Sequence, residues 1–221
     1  MSVLYKFPKA AAFRRMLAKS KIYEHAVPTS KVKDLFVEQV EKITWAYKLS
    51  PATINLPASD GVQEIQVFTV SLRIGELSFE VLQTIDKAIP SPILFVLSYN
   101  GKYRYAAAYK RPSEADKSKW VVSSYFQSEW MNDDTEKIEL PVVLNMGALY
   151  QSFLKSLSPL SFRKGESLDS LVSRVDQLRV KERDAIKLEN RIKKEKQFNR
   201  RVELNRMLNE LRSEIRSLKD E

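Results

Sequence analysis

The side chains in this sequence that could do chemistry are few. Of 221 residues, one is histidine (His25), none is cysteine and five are glycine. Serine hydrolases need a histidine base, thiolate enzymes and most zinc sites need cysteine, and phosphate-binding loops need several glycines. His25 stands beside Glu24 and shortly before Pro28, where a structural histidine is more common than a catalytic one. The composition therefore argues against these classes of site.

A metal-dependent nuclease is the enzyme class for which the sequence has some suitable side chains. Such a site needs clustered carboxylates with a lysine on adjacent strands. The residues that come nearest to such a set are Glu64, Gln66, Asp86 and Lys110. Their spacing matches no motif, so no catalytic residue, metal site or cofactor is assigned. A divergent nuclease-like domain acting on DNA remains an alternative.

Basic side chains are in excess and occur in clusters. Lysine and arginine number 37 against 28 acidic residues, a net charge of +9 that favours a nucleic acid or an acidic protein as partner. One cluster alternates with tyrosines, and the other lies in the C-terminal region beside a single acid, Glu195. Cations offset phosphate charge and aromatic rings stack on unpaired bases, although ordinary solvated surfaces look similar. The predicted nucleic-acid contacts are Lys102, Arg104, Lys110, Arg111, Arg191, Lys193, Lys194, Lys196, Arg200 and Arg201.

The first cluster belongs to a β-hairpin from Ile93 to Arg111. Asn100-Gly101 favours a two-residue type I′ turn, which needs positive φ at both positions. The period of two places Lys102 and Arg104 on one face of the returning strand and the tyrosines on the other. Since the run before the turn is continuously apolar, we expect it in the middle of a sheet.

The other elements of residues 1–160 alternate between helical and strand patterns. Apolar residues at helical spacing predict helices within residues 7–21, from Thr29 or Ser30 as far as Tyr47, after Ser78 and after Asn145. Runs of β-branched and aromatic residues predict strands over 64–73, 120–130 and 138–143. We therefore predict an α+β domain, in which helices pack on a mainly antiparallel sheet of about five strands.

Residues 161–221 are predicted to be a linker and a long C-terminal helical arm. Ser167 is the expected N-cap, and residues 168–221 contain neither glycine nor proline. Apolar residues recur at heptad spacing in two blocks that are out of register, which indicates a coiled-coil-like contact. These predicted partner-binding residues are Leu168, Leu171, Val175, Leu178, Leu204, Leu208, Leu211, Ile215 and Leu218. Self-association or an antiparallel fold-back within the chain would cover the same residues.

The sequence shows no sign of a membrane protein. No apolar run approaches the roughly 20 residues that a spanning helix requires, and the N-terminus lacks the apolar block of a secretory signal. We therefore expect a cytoplasmic protein without membrane contact.

Several segments of the sequence indicate a family. FVEQVEKITWAYKLSPATINLP, VQEIQVFTVSL, IDKAIPSPILFVLSY, YAAAYKR, KWVVSSYF and LPVVLNMGALYQSFL follow one another along the chain. In order and spacing they resemble an uncharacterised prokaryotic family catalogued as domain of unknown function family 4391, as far as about Leu160. The resemblance transfers no catalytic residue. It implies a setting beside the DNA methyltransferases and helicases of restriction-like or phage-defence systems.

Together these observations suggest a non-catalytic accessory subunit of a prokaryotic restriction-like or anti-phage defence complex. It would dock a helicase, methyltransferase or nuclease subunit through the C-terminal helix and contact DNA through its basic surfaces. A self-associating structural protein is a further alternative.

Overall fold

A seven-stranded mixed sheet is the core of the fold as far as residue 157. The structure, a computed structural model, describes residues 4–59, 61–112 and 120–220, without the side chains of Arg111, Pro112 and Trp120. The strands are β1 (Leu4–Lys6), β2 (Ala12–Met16), β3 (Val40–Leu49), β4 (Ile65–Leu72), β5 (Ile93–Tyr99), β6 (Lys102–Pro112), β7 (Trp120–Gln127), β8 (Met131–Asn132) and β9 (Lys137–Glu139). The helices are α1 (Lys19–Ala26), α2 (Ser30–Gln39), α3 (Pro51–Ile54), α4 (Phe79–Ala88), α5 (Met146–Leu157), α6 (Leu168–Lys194) and α7 (Phe198–Lys219), with a 3-10 turn at Lys9–Ala11. The chain divides into two compact units, Met1–Leu157 and Ser158–Glu221.

The main sheet is antiparallel except at one pair of strands. Its order is β2-β3-β4-β5-β6-β7, and β8 pairs with β6. Strands β4 and β5 are parallel and are joined by the crossover helix α4. The predicted α+β class and mainly antiparallel sheet are confirmed. The strand number is corrected from about five to seven, because β2 and β3 were expected to be helical and β8 is too short to show a pattern.

The predicted hairpin is present. Asn100 and Gly101 have φ values of 46° and 71°, the left-handed conformation that a type I′ turn requires. The register pairs Tyr99 with Lys102 and Leu97 with Arg104. A Cβ atom on Gly101 would meet nothing within 4 Å, so backbone conformation rather than space favours glycine there.

The predicted helix over residues 30–47 is wrong in its second half. Helix α2 ends at Gln39, and Val40–Leu49 is strand β3, paired with both β2 and β4. The ammonium group of Lys19 donates to the carbonyls of Phe36 and Val40 at 2.7 and 2.6 Å, which satisfies the end of the helix. Val40 and Ile43 are buried, and in a sequence rich in β-branched residues they fit a strand as well as a helix.

The N-terminal helix expected within residues 7–21 is also wrong. Residues 12–16 form the edge strand β2, and the helix α1 begins only at Lys19. Arg14 has a φ of 54°, and the register with β3 shifts between Ala12 and Arg15. This irregularity is of the kind that blunts an exposed sheet edge.

Helices α1, α2 and α4 cover one face of the sheet. Phe36, Phe68, Phe95 and Ile85 are among the fully buried side chains of this core. On the opposite face Tyr105 packs on Tyr5, which in turn contacts Phe153 of α5. Both faces of the central strands are therefore buried. Strands β1 and β9 form a separate two-stranded parallel sheet, so the predicted strand over 138–143 is shorter and lies outside the main sheet.

The second unit is an antiparallel pair of helices. Side-chain pairs cross from α6 to α7 between Lys181 and Glu214 and between Glu189 and Arg212, at 2.5 and 2.8 Å. The residue numbers of these pairs increase along α6 and decrease along α7, so the two helices are antiparallel and the arm folds back at residues 195–197. The antiparallel fold-back, one of the alternatives considered from the sequence, is thus the arrangement found in this chain. Among helices of the described ranges, none combines the length and apolarity needed to cross a membrane.

Candidate nucleic-acid interface

The basic turn, residues 191–201, joins α6 to α7 at the end of the helical pair. Its six cations are all exposed, and Glu195 is its one acid, giving 6 − 1 = +5. Glu195 lies 3.7 Å from Arg200, the one ion pair recorded for these cations in the described chain. The six are Arg191, Lys193, Lys194, Lys196, Arg200 and Arg201. A dense positive surface of this kind attracts phosphate groups.

The second half of the basic turn is not explained by the stability of its helix. The N-terminal end of a helix carries partial positive charge, so acidic residues are favourable there and basic ones are not. The first turn of α7 contains no acidic residue, and Arg200 and Arg201 follow two residues after it begins. By contrast, the three cations in the last turn of α6 favour that helix.

An exposed aromatic ring lies within the basic turn. Phe198 is 69% exposed at the first residue of α7. Phe198 is not among the residues predicted from the sequence, because it falls outside the heptad spacing of the apolar residues. A lone aromatic residue in a basic polar stretch would have been the signal. Such a ring can stack on an unpaired base.

The cations of strand β6 are arranged differently from the prediction. Lys102 is exposed beside the hairpin turn. Arg104 is half-buried, with its guanidinium group 4.8 Å from the centre of the Trp130 ring and a hydrogen bond of 3.4 Å to Gln127. The side chain of Arg111 lies outside the described residues. The sequence suggested that the basic face of β6 is solvated. At the C-terminal end of the strand, however, helix α4 covers this face.

Lys110 is corrected from a surface contact to a buried group. Its ammonium nitrogen donates to the carbonyl oxygens of Asp86, Ile89 and Ser91 at 3.0, 2.5 and 3.1 Å. The side chain is 3.4 Å from the Asp86 carboxylate, and both side chains are 1% exposed. These contacts satisfy the C-terminal end of α4. Because the ammonium group is enclosed, Lys110 is removed from the predicted DNA contacts.

The residues considered for a nuclease do come together, in one polar network. The Tyr125 hydroxyl donates to Asp86, which is joined to Ser91 through Lys110. The Ser91 hydroxyl donates to Glu64 at 3.4 Å, and Gln66 donates to the same carboxylate at 2.7 Å. Glu64 also forms an ion pair with Lys48 at 2.8 Å. The carboxylates are thus bound to neighbouring protein groups at each end of the network.

Burial dominates the acid-base behaviour of this network. It raises the pKa of Asp86 to about 6, against the opposing effects of the Lys110 charge and the Tyr125 hydroxyl. Burial also lowers the pKa of Lys110, and it raises the pKa of Tyr125. Within the described residues, no group of three or more histidine, cysteine or acidic side chains is placed to hold a metal ion.

The predicted partner-binding residues do not form an open surface. Leu171, Val175, Leu178, Leu204 and Leu208 are buried. Leu168, Leu211, Ile215 and Leu218 are half-buried. Since α6 and α7 pack on each other, a partner could reach this seam only if the helices separated. The predicted docking of a partner on these residues is therefore corrected: with α6 and α7 packed together, the residues contact the neighbouring helix of the same chain.

Comparison with known proteins gives one match. No curated protein and no solved structure matches this chain. A family model described as "Domain of unknown function (DUF4391)" matches residues 6–215. The match extends well into α7, so the helical pair belongs to the family pattern and is not an appendage to it. Spanning nearly the whole sequence, this match shows that the chain belongs to the DUF4391 family.

Proposed function

We propose that this protein is a non-catalytic accessory subunit of a prokaryotic restriction-like or anti-phage defence complex, and that it contacts DNA through the basic turn. The observation that carries the proposal is the set of six exposed cations around a single acid at the end of the helical pair. Phosphate contacts supply most of the affinity of non-specific DNA binding, and a group of exposed cations on one turn suits them.

Local folding does not require the cations in the second half of the basic turn. Like charges placed close together repel, and Arg200 and Arg201 stand at the unfavourable end of α7. A protein that keeps such an arrangement gains from an anionic partner that offsets it. The overall charge of +9 favours a nucleic acid or an acidic protein as that partner, and of these two we propose nucleic acid.

The subunit with which the protein would act is proposed to be a helicase, methyltransferase or nuclease. This part rests on the family resemblance. Because the apolar seam between α6 and α7 is covered, docking would use another surface of the chain. Purification of the tagged full-length protein from its native host, followed by mass spectrometry, would support this part by recovering such a subunit. Recovery of the protein alone would count against it.

The DNA contact is tested by charge reversal at the basic turn. Lys193→Glu with Lys194→Glu should weaken the binding of the full-length protein to a fluorescein-labelled duplex by about tenfold or more at low salt. Both side chains are exposed, so the fold should be retained, with a small loss of stability in α6 because acidic residues are unfavourable at the C-terminal end of a helix. Fluorescence anisotropy measures the affinity, and circular dichroism checks the fold.

The matched control makes the same change in net charge elsewhere. Lys31→Glu with Lys42→Glu alters two exposed lysines of the first unit, on α2 and β3. The control should retain most of the wild-type affinity. Equal losses in the two double variants would mean that net charge alone governs binding, and no loss at the basic turn would remove it from the interface.

A further inference from the structure

The apolar strip, residues 138–144, has the sequence of a strand but leaves the sheet after two residues. Isoleucine, leucine or valine occupies five of its seven positions. Strand β9 ends at Glu139, and residues 140–143 have no regular structure before the bend at Leu144. Residues with these side chains fit a pleated surface that is partly buried by its neighbours. Most of the strip therefore has the side chains of a strand without a sheet to join.

Three apolar side chains of the strip are open to solvent. Val142 and Leu144 are 103% and 86% exposed, and Ile138 is 44% exposed. Single exposed apolar residues are ordinary on a protein surface, but a group of them marks a surface that binds another molecule. Three such residues within seven positions form a group of this kind.

The backbone of the strip can accept one more strand. In the described sheets β9 pairs with β1 alone, so its other edge is open. No backbone hydrogen bond is recorded between residues 142–144 and any other described residue. Pro141 has no N–H to donate, and proline within a sheet is confined to edge strands. An open edge of this kind is a template for strand pairing with a second chain.

The surface next to the strip is acidic, although the chain as a whole is basic. Residues 129–139 contain one lysine and five acids, 1 − 5 = −4, against +9 for the whole chain. In the described chain Glu139 forms an ion pair with Lys6 at 3.0 Å, and no ion pair is recorded for the other four acids. The five exposed acids are Glu129, Asp133, Asp134, Glu136 and Glu139.

This charge decides which partner suits the apolar strip. Strip-to-strip pairing of two copies of the chain would bring two acidic surfaces together, and like charges across an interface are unfavourable. A basic segment would instead be attracted, and complementary charge both speeds association and selects the partner. The occupant that fits the exposed side chains, the open edge and the charge is therefore an extended segment with apolar and basic residues.

We propose that the apolar strip binds an extended basic segment of a partner protein, which adds a strand beside β9. The partner's backbone pairs with the strip, and its apolar side chains cover Val142 and Leu144. Its basic side chains offset the acids of residues 129–139. The inference gives the partner subunit of the proposed function a docking surface, and it rests on that function only for the identity of the subunit. It uses no residue of the basic turn.

Synthetic peptides test the surface on the purified full-length protein. The probe is a fluorescein-labelled peptide of alternating lysine and valine, about eight residues long, which is the length of an ordinary strand. One comparison peptide has glutamate in place of lysine, and another has alternate backbone nitrogens methylated so that it cannot pair along one edge. The basic peptide should bind saturably and about tenfold or more tightly than either comparison peptide. Hydrogen exchange at residues 142–144 should slow when it is bound.

A double variant then tests the apolar side chains. Val142→Lys with Leu144→Lys removes the apolar contact and should weaken binding of the basic peptide by about tenfold or more. Both side chains are exposed, so the fold should be retained. Val27→Lys with Val37→Lys is the matched control, because it adds the same charge at two valines that are 79% and 63% exposed. The control should retain most of the wild-type affinity.

Four results would overturn the proposal. They are the absence of saturable binding of the basic peptide, equal affinity for the methylated peptide, and equal losses in the two double variants, which would leave charge alone as the cause. The fourth is a wild-type dimer in light scattering that Val142→Lys with Leu144→Lys dissociates, because it would assign the strip to a second copy.

Purification from the native host separates this inference from the proposed function. If Val142→Lys with Leu144→Lys recovers the same helicase, methyltransferase or nuclease subunit as the wild type, the strip is not the docking surface, although the proposed function stands. If the wild type recovers no such subunit, the partner named in the proposed function is wrong, and the peptide measurements still decide whether the strip binds a basic strand.

Discussion

The ammonium group of Lys110 lies 3.4 Å from the carboxylate of Asp86, with both side chains 1% exposed. The same ammonium group donates to three backbone carbonyls at the end of α4 and in the turn after it. Strand β6 is thereby fixed to the helix that crosses from β4 to β5. The pair is an internal support of the sheet.

Removing Lys110 should strongly destabilise the protein. Lys110→Met leaves the Asp86 carboxylate buried without its cation, which typically lowers the free energy of unfolding by about 3–5 kcal/mol. Chemical denaturation measures the loss. The double variant Lys110→Met with Asp86→Asn should lose less than the sum of the two single variants, since the second change removes the uncompensated charge. Strictly additive losses would show that the two side chains do not interact.

Stability should depend on pH through Asp86. Burial raises its pKa to about 6 in the folded state, above the ordinary value, so the folded protein binds this proton more tightly than the unfolded chain. The resulting stability is fully present below about pH 4 and is lost as the pH rises through about 6. Between these values the wild type should become less stable relative to Asp86→Asn, which cannot titrate. Urea unfolding of both proteins at several pH values measures the difference. A constant difference would indicate a carboxylate that stays ionised throughout.

Arg174 should hold the end of α7. Its guanidinium group binds both oxygens of Glu166, at 2.8 and 2.7 Å, and donates to the carbonyls of Leu218 and Ser161 at 2.8 and 2.6 Å. Lysine cannot reproduce this planar arrangement, so Arg174→Lys should destabilise the helical pair by about 1–3 kcal/mol. Hydrogen exchange should be faster in the last turns of α7. Arg206→Lys, at an exposed ion pair with Glu210, is the control and should leave exchange unchanged.

Charge and stacking at the basic turn should be separable by salt. Lys193→Gln with Lys194→Gln should reduce the slope of log affinity against log salt by about 2, one for each lost phosphate contact. Phe198→Ala should leave that slope unchanged but weaken the binding of single-stranded DNA by about tenfold, because a stacked base contributes about 1–3 kcal/mol. Val202→Ala, also exposed on α7, serves as the control. An equal loss of duplex binding in Phe198→Ala would argue against stacking on unpaired bases.

Features set by neighbours in the sequence could be predicted. The turn at Asn100-Gly101 needs positive φ at two successive residues, and few residue types tolerate it. The helix caps at Thr29, Ser78 and Ser167 each accept a bond from a backbone N–H within three residues. The basic turn is visible as a run of charge. In each case the interaction spans only a few residues, so the sequence contains it.

Other features depend on which surfaces meet and were decided by the tertiary structure. Lys110 alternates with tyrosines along β6, a pattern that is typical of a solvated residue. A helix covers it nonetheless, because the parallel pairing of β4 with β5 brings α4 across the sheet. Val40 and Ile43 fit a helical and a strand pattern equally well, and pairing with β4 decides between them. The apolar seam of α6 suits either a partner or its own fold-back, and the turn at residues 195–197 brings α7 onto it. Trp45 and Gln66 line one cavity only when β3, β4 and α1 are packed, since residues 21 positions apart have no local signal to link them.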